Sequence, residues 1–295
     1  MKIYIAGIHG VYETSQINQL LTNSLVTFWE KPKFHKCHRE QDIFLDSGAF
    51  SAWSRKKSID LKDYIRYVKE NEEWITVYAN LDVIGSARRS WRNQMKMEKA
   101  GLKPMPVFHT EDEPYWLEKC VNEYEMFCIG GMAKGFSRKE RQSFLDRSFE
   151  LVEKLGGLDR CKIHGFGMTS FDLMWRYPWY SVDSTTAVLV SGMGGIIVPP
   201  RRNGEWRYDL PPHGISISEK SPSAKKLNEH YTTVPPTVKQ MIDDYLTENE
   251  YSFKDCAESY LPRRELNIIY YNTLQDAITE KGSNWDDTNK LIPLL

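Results

Sequence analysis

Paired cysteines are missing from this chain. Cys37, Cys120, Cys128, Cys161 and Cys256 are scattered and odd in number, so neither a disulfide framework nor a Cys-x-x-Cys metal nucleus is expected, and a reducing cytoplasm suits the chain. No apolar run approaches the roughly 20 residues needed to cross a bilayer, so no membrane partner is expected. Charge of neither sign dominates: 39 Lys and Arg face 40 Asp and Glu, for a net charge of -1. A uniformly basic surface is thereby excluded, and any nucleic-acid contact must come from local clusters. Gly7-Ile8-His9-Gly10 is too short for the phosphate-cradling glycine fingerprint of a doubly wound nucleotide-binding sheet. There is no internal repeat and no low-complexity tract. Because the sequence opens at once on the strand-like Lys2-Ile3-Tyr4-Ile5-Ala6-Gly7, no signal peptide is expected.

What the chain does have is a recurring shape, an apolar strand that runs into a polar or glycine tip. It occurs at Ile43-Phe44-Leu45-Asp46-Ser47-Gly48-Ala49-Phe50, at Ile75 through Asp82, at Met126 through Gly131 and at Trp179 through Ser184. Strands are predicted over 2–7, 43–47, 75–81, 104–108, 126–130, 161–166, 179–183 and 194–198. Between them lie helical spacings such as Leu61-Tyr64-Ile65-Val68 and Phe144-Leu145-Phe149-Val152-Leu155, the latter stopped by Gly156-Gly157. About eight strand–helix units over roughly 200 residues predict an α/β fold, a (β/α)8 TIM barrel. Its body is placed at residues 1–200. The proline-punctuated segment 201–295, with helical patterns near 236–248 and 262–281, reads as a C-terminal elaboration within one domain overall.

In such a barrel the strand ends converge on one pocket, so Asp46, Asp82 and Asp183 can face a single substrate. Aspartates after strands also serve as turn and capping residues. Paired carboxylates suit displacement at an anomeric carbon, and they also bind divalent cations. His109, closing Pro106-Val107-Phe108-His109, can donate a hydrogen bond into the pocket or satisfy the structure. Gly130-Gly131-Met132-Ala133-Lys134-Gly135 offers bare backbone to a planar ligand. His164, in His164-Gly165-Phe166-Gly167, reads as structural. Basic clusters at Arg88-Arg89-Ser90-Trp91-Arg92, Arg201-Arg202, Lys225-Lys226 and Arg263-Arg264 are candidate phosphate contacts, although short basic pairs are commonly plain solvated surface.

Taken in order, these tips resemble the tRNA-guanine transglycosylase superfamily. Asp46-Ser47-Gly48-Ala49-Phe50 is similar to its Asp-Ser-Gly-Gly-Phe-Gln, with Ala49 and Ser51 as departures. Asp82 matches its nucleobase-reading aspartate, Gly130 through Gly135 its Gly-Gly-Leu-Ala-Val-Gly loop, and Asp183 the nucleophile's place. His164 through Gly167 stands where the family has a strand ending in Gly-Val-Gly. Arg202-Asn203-Gly204, Ile215-Ser216-Ile217 and Leu266 through Tyr271 follow in the family's order. The tRNA enzymes hold a structural zinc on three cysteines and a histidine; the matching region here offers only His230 and Cys256. Shortness, the absent zinc cysteines and the Asp-Ser-Gly-Ala-Phe-Ser variant look most like the DNA 7-deazaguanine transglycosylases of phages and bacteria.

The resemblance implies base exchange in DNA, with tRNA the less favoured polymer and preQ0 or a related 7-deazaguanine as incoming base. It implies Asp183 as nucleophile and Asp46 as acid–base group. Ser47, Asp82, His109, Gly130 and Gly131 would read the base, with Phe50 and Met132 sandwiching it. Arg88, Arg89, Arg92, Arg201 and Arg202 are the expected nucleic-acid contacts. No metal or cofactor is expected, and the host cytoplasm is the expected location if a phage encodes the chain. The oligomeric state stays open, a homodimer among the options. A rival reading, a metal-dependent barrel hydrolase with His9, His164 and Asp183 as ligands, lacks a His-x-His on the first strand. His35-Lys36-Cys37-His38 has no fourth ligand nearby and reads as surface loop.

Overall fold

The computed structural model describes residues 1–8, 15–32, 34, 41–132, 135–168, 170–221 and 226–285. His9, the cluster at 35–38, Ala133, Lys134 and Lys225 lie outside the described residues. The chain divides into two compact units. Of the described residues, the first takes 1–8, those within 22–184, and 282–285; the second takes 15–21 and those within 185–281.

In chain order the elements run β1 (Lys2–Ala6), α1 (Ser15–Leu20), β2 (Asn23–Thr27), β3 (Asp42–Asp46), α2 (Ala49–Ser54), α3 (Leu61–Glu70), β4 (Val77–Tyr78) and α4 (Ala87–Lys99). They continue with β5 (Val107–His109), α5 (Pro114–Glu123), β6 (Met126–Gly130), α6 (Arg138–Lys154), β7 (Lys162–Gly165), α7 (Phe171–Arg176) and β8 (Ser181–Ser184). The remainder is α8 (Thr186–Gly192), β9 (Gly195–Val198), β10 (Arg201–Arg202), β11 (Glu205–Trp206), β12 (His213–Ser216), α9 (Pro236–Glu248), α10 (Phe253–Glu258) and α11 (Tyr260–Lys281).

The first unit is an all-parallel sheet in the order β4-β3-β2-β1-β8-β7-β6-β5 with helices between the strands. The sheet curls. Four steps separate β3 from β7, about 19 Å if the sheet were flat, yet the Phe44 and His164 rings lie 4.4 Å apart. Tyr4, Phe44, Ala79, Met105, Val107 and Cys128 pack into one buried cluster on the concave side. At the sheet's two ends, residues flanking β4 and β5 meet in one parallel bridge, Ala79 to Met105. The Met105 amide donates to Tyr78 O at 2.9 Å and the Asn80 amide to Met105 O at 2.9 Å. The α/β, TIM-barrel-like architecture anticipated from the strand–helix alternation is thus present.

One predicted strand has a different role. Residues 195–198 do not join the parallel sheet; as β9 they pair antiparallel with β12 in the second unit. The place among the parallel strands goes to β2, whose sequence Asn-Ser-Leu-Val-Thr carries too few apolar residues to announce a strand. Its Asn23 and Ser24 are nevertheless buried, held between β1 and β3.

In the second unit β10 and β11 form a short hairpin turned by Asn203 and Gly204, both with positive φ, as an Asn-Gly turn requires. Ile196, Val198, Ile215, Ile217, Ile242, Tyr245, Leu246 and Leu266 form its buried core. Buried Asn267 accepts the Ile197 amide at 2.8 Å and donates to Ala187 O at 3.1 Å, joining α11 to β9 and α8. Among the described residues no helix is long and apolar enough to cross a membrane.

Candidate active site

Because the eight strands are parallel, their C-terminal ends share one rim of the curled sheet. Asp46 ends β3, Asp82 follows β4, His109 ends β5, Gly130 ends β6 and Asp183 sits in β8. Asp46 is half-buried, and its neighbours after the strand are constrained. Gly48 adopts φ 76°, and a Cβ there would come within 2.6 Å of both Thr27 Oγ1 and Trp29 Cβ. Gly48 N–H donates to the Asp46 carboxylate at 3.2 Å. Burial, then the negative fields of Asp82 and Asp183, raise the Asp46 pKa to about 7, against the pull of the Gly48 and Ser47 amides. The fields of three carboxylates therefore overlap at one strand end. Ser47 is buried beside it.

Asp183 is 6% exposed and accepts the Gly167 amide at 2.8 Å. Its other neighbour is His164, fully buried, whose Nε2 lies 3.4 Å away without hydrogen-bond alignment. His164 Nδ1 meets Ser181 Oγ at 2.9 Å. Burial lowers the His164 pKa, with Asp183 opposing, so burial favours the neutral ring beside Asp183.

Asp82 meets His109 Nε2 at 3.0 Å. Burial alone would lower the His109 pKa, but Asp82, with Asp112 and Glu111 behind it, opposes burial and the net direction is up. The second Asp82 oxygen is buried and has no hydrogen-bond partner among the described residues, an acceptor kept open for a donor. Three residues that the sequence did not single out for this role lash the Asp82 tip to α4. Asn80 donates to Ser90 O at 2.9 Å, Asn93 donates to Leu81 O at 2.8 Å, and Ser90 Oγ accepts the Val83 amide at 2.8 Å. Asp112 accepts the His109 amide at 2.9 Å. Each is a short polar residue near a strand tip, a weak signal among many loop polars.

Gly130 is buried beside His109, and Thr110 Oγ1 donates to Gly131 O at 3.3 Å. Met132 is 4% exposed, whereas Phe50 is 38% exposed on α2, its ring 5.9 Å from that of Trp53. Beside Asp82 opens a cleft of about 510 Å³ whose lining includes Trp53, Lys57, Arg89, Arg92 and Lys96. Arg89, Arg92 and Lys96 follow a helical stripe of α4. None of Lys57, Arg89, Arg92 and Lys96 forms an ion pair among the described residues. Lys57 and Lys96 are additions to the sequence-predicted set, while Arg88 is exposed and does not line the cleft. Arg201 and Arg202 belong to the second unit, where Arg201 is already committed to Asp244 at 2.8 Å and Glu248 at 3.1 Å.

His230 and Cys256, the two donors in the region that matches the tRNA enzymes' zinc site, have other surroundings. His230 meets Thr232 Oγ1 at 2.8 Å and Ser218 O at 3.2 Å, and burial raises the Cys256 thiol to about 12 inside an apolar cluster. Among the described residues no three His, Cys, Asp or Glu side chains gather as metal ligands would. No protein-family model matches the chain, and no curated protein matches it.

Proposed function

We propose that the chain is a base-exchange glycosyltransferase of the transglycosylase type, replacing guanine in DNA with a 7-deazaguanine base such as preQ0 inside a closed (β/α)8 barrel. The bridge between Ala79 and Met105 supports the closure. The observation that carries the activity is the half-buried Asp46 at the end of β3, its carboxyl raised to about 7 by desolvation and the fields of Asp82 and Asp183. A group titrating there can give a proton in one half-reaction and take it back in the next.

In the first half-reaction an Asp183 oxygen attacks C1′, the bond from C1′ to guanine N9 breaks, and Asp46 protonates the departing base. In the second, N9 of the incoming deazaguanine attacks C1′, the ester to Asp183 breaks, and Asp46 accepts the N9 proton. Asp183 suits attack because its carboxylate is held by one amide donor and faces a neutral imidazole. The open oxygen of Asp82 suits the N–H edge of a guanine-like base, with His109 holding the carboxylate in place. C1′ is out of reach in a stacked duplex, so the nucleotide flips or comes from a single strand. Lys57, Arg89, Arg92 and Lys96 supply uncommitted cations for its flanking phosphates.

The test is incorporation of labelled preQ0 into single-stranded DNA, duplex DNA or tRNA. Wild type labels DNA, and Asp183→Asn loses at least about a thousandfold in exchange because an amide forms no ester. Asp46→Asn is impaired but still accumulates a sugar adduct on denaturing gels. Label in tRNA alone overturns the polymer, and near-normal turnover by Asp183→Asn removes the nucleophile.

A further inference from the structure

The second unit has a cleft of about 750 Å³ at the start of α11, lined by Met193, Ser218, Lys220, Tyr260, Arg263 and Arg264 among others. Its size falls within the roughly 300–1,000 Å³ of small-molecule sites. The two arginines are 6% and 8% exposed, yet they are not equivalent. Arg263 donates from Nε to Ser191 O at 2.9 Å and from Nη1 to Cys256 O. Arg264 Nε is buried with no acceptor among the described residues, and its guanidinium contacts the Tyr260 ring, 4.9 Å from the centroid. No carboxylate among the described residues reaches either guanidinium at ion-pair distance. Glu258, on the cleft's edge, is exposed and pairs with neither. Glu265, next along the chain, accepts the Tyr251 hydroxyl at 2.9 Å.

A buried charge without a counter-charge is strongly unfavourable. An arginine escapes that cost poorly by losing its proton, although burial pulls both arginines below their ordinary pKa. Carbonyl acceptors satisfy the donors of Arg263 but do not neutralise it. The first turn of a 22-residue helix adds positive potential at the same spot, and Lys220 adds a third cation. An anion would neutralise this cluster. Met193 and Tyr260, 66% and 46% exposed, provide an apolar and aromatic surface beside it, which suits a planar base rather than a bare ion.

We infer that the second unit carries its own phosphate-binding site centred on Arg264, and that its ligand is a nucleotide phosphate, free or within a strand. This site does not depend on the base-exchange reading. The test is thermal unfolding of the full chain at constant ionic strength, with chloride exchanged in turn for inorganic phosphate, thymidine, thymidine 5′-monophosphate or an oligothymidylate. Phosphate-bearing probes raise the melting temperature, and thymidine does not. Arg264→Met weakens the response at least tenfold in ligand concentration, and Lys220→Gln weakens it by a smaller factor. In phosphate-free buffer Arg264→Met melts no lower than wild type, because it removes an unpaired charge. A response to the monophosphate but not the oligothymidylate identifies a free nucleotide; the reverse identifies strand backbone. No response to any phosphate-bearing probe, an undiminished response in Arg264→Met, or a melting point for that variant well below wild type without phosphate overturns the site.

Discussion

Asp46 ties the chemistry to the stability of the fold. Its folded pKa, about 7, lies above the ordinary 3.8, so folding favours its protonated form. The sign follows from linkage: its contribution is fully present below about pH 4 and is lost as pH climbs through about 7. Asp46→Asn mimics the protonated state. It should stabilise the protein by up to about 4 kcal/mol near pH 8 and by well under about 1 near pH 4, read from urea midpoints. Equal effects at both pH values would remove Asp46 from the desolvated, coupled position assigned to it. His109 shifts upward too, so its contribution is present below about pH 6.5 and fades as pH rises through the raised value. Asp82→Asn removes a field that acts on both groups. By NMR, the His109 inflection should then move down, with only Asp112 and Glu111 left to oppose burial, and the Asp46 inflection should move down too. Asp46, Asp82 and Asp183 were legible because each follows an apolar strand. Asn80, Ser90 and Asn93 were not, because a buried amide that ties a loop to a helix leaves no periodicity to read.

At the scale of elements, the helices were the most legible. The spacings around Leu61–Val68 and Phe144–Leu155 fall in α3 and α6, and the pattern near 236–248 is α9. Capping chemistry agrees: Ser137 and Glu140 form a capping box at the start of α6, and Asp60 accepts two amides at the start of α3. Strands were harder. The apolar run at 195–198 reads like a buried parallel strand, and local sequence cannot say that its partner is β12 instead. The β3–α2 turn offers a sharp test of how tightly the rim is built. Gly48 and Gly85 both have φ 76°, but a Cβ at Gly85 meets nothing within 4 Å, whereas one at Gly48 collides with Thr27 and Trp29. Gly85→Ala should cost only the left-handed backbone, about 1 kcal/mol, while Gly48→Ala adds overpacking for roughly 2–5 kcal/mol in total. Matching urea midpoints for the two variants would show that the rim yields.

For the whole molecule, the decisive question is whether apolar burial or a metal stabilises the second unit. Structural zinc needs about four Cys or His ligands in tetrahedral array. His213 is exposed, His230 is hydrogen-bonded on both ring nitrogens, and Cys256 is buried among apolar neighbours. Apolar burial supplies an alternative. Tyr245, Leu246, Leu266, Ile268, Tyr270 and Leu274 are each at most 2% exposed. A leucine removed from such a core costs about 2–5 kcal/mol, whereas chelation removes stability only if metal binding is part of folding. Leu266→Ala should therefore lower the melting temperature by several degrees, while excess chelator leaves the wild-type curve unchanged and elemental analysis finds no stoichiometric zinc. Asn267→Leu should also destabilise, by roughly 1–3 kcal/mol, because it leaves the Ile197 amide and the Ala187 carbonyl without their partner. One equivalent of zinc together with a melting point lowered by chelation would reverse the argument. It would also return tRNA to the front, because the DNA reading leans on the missing zinc cysteines.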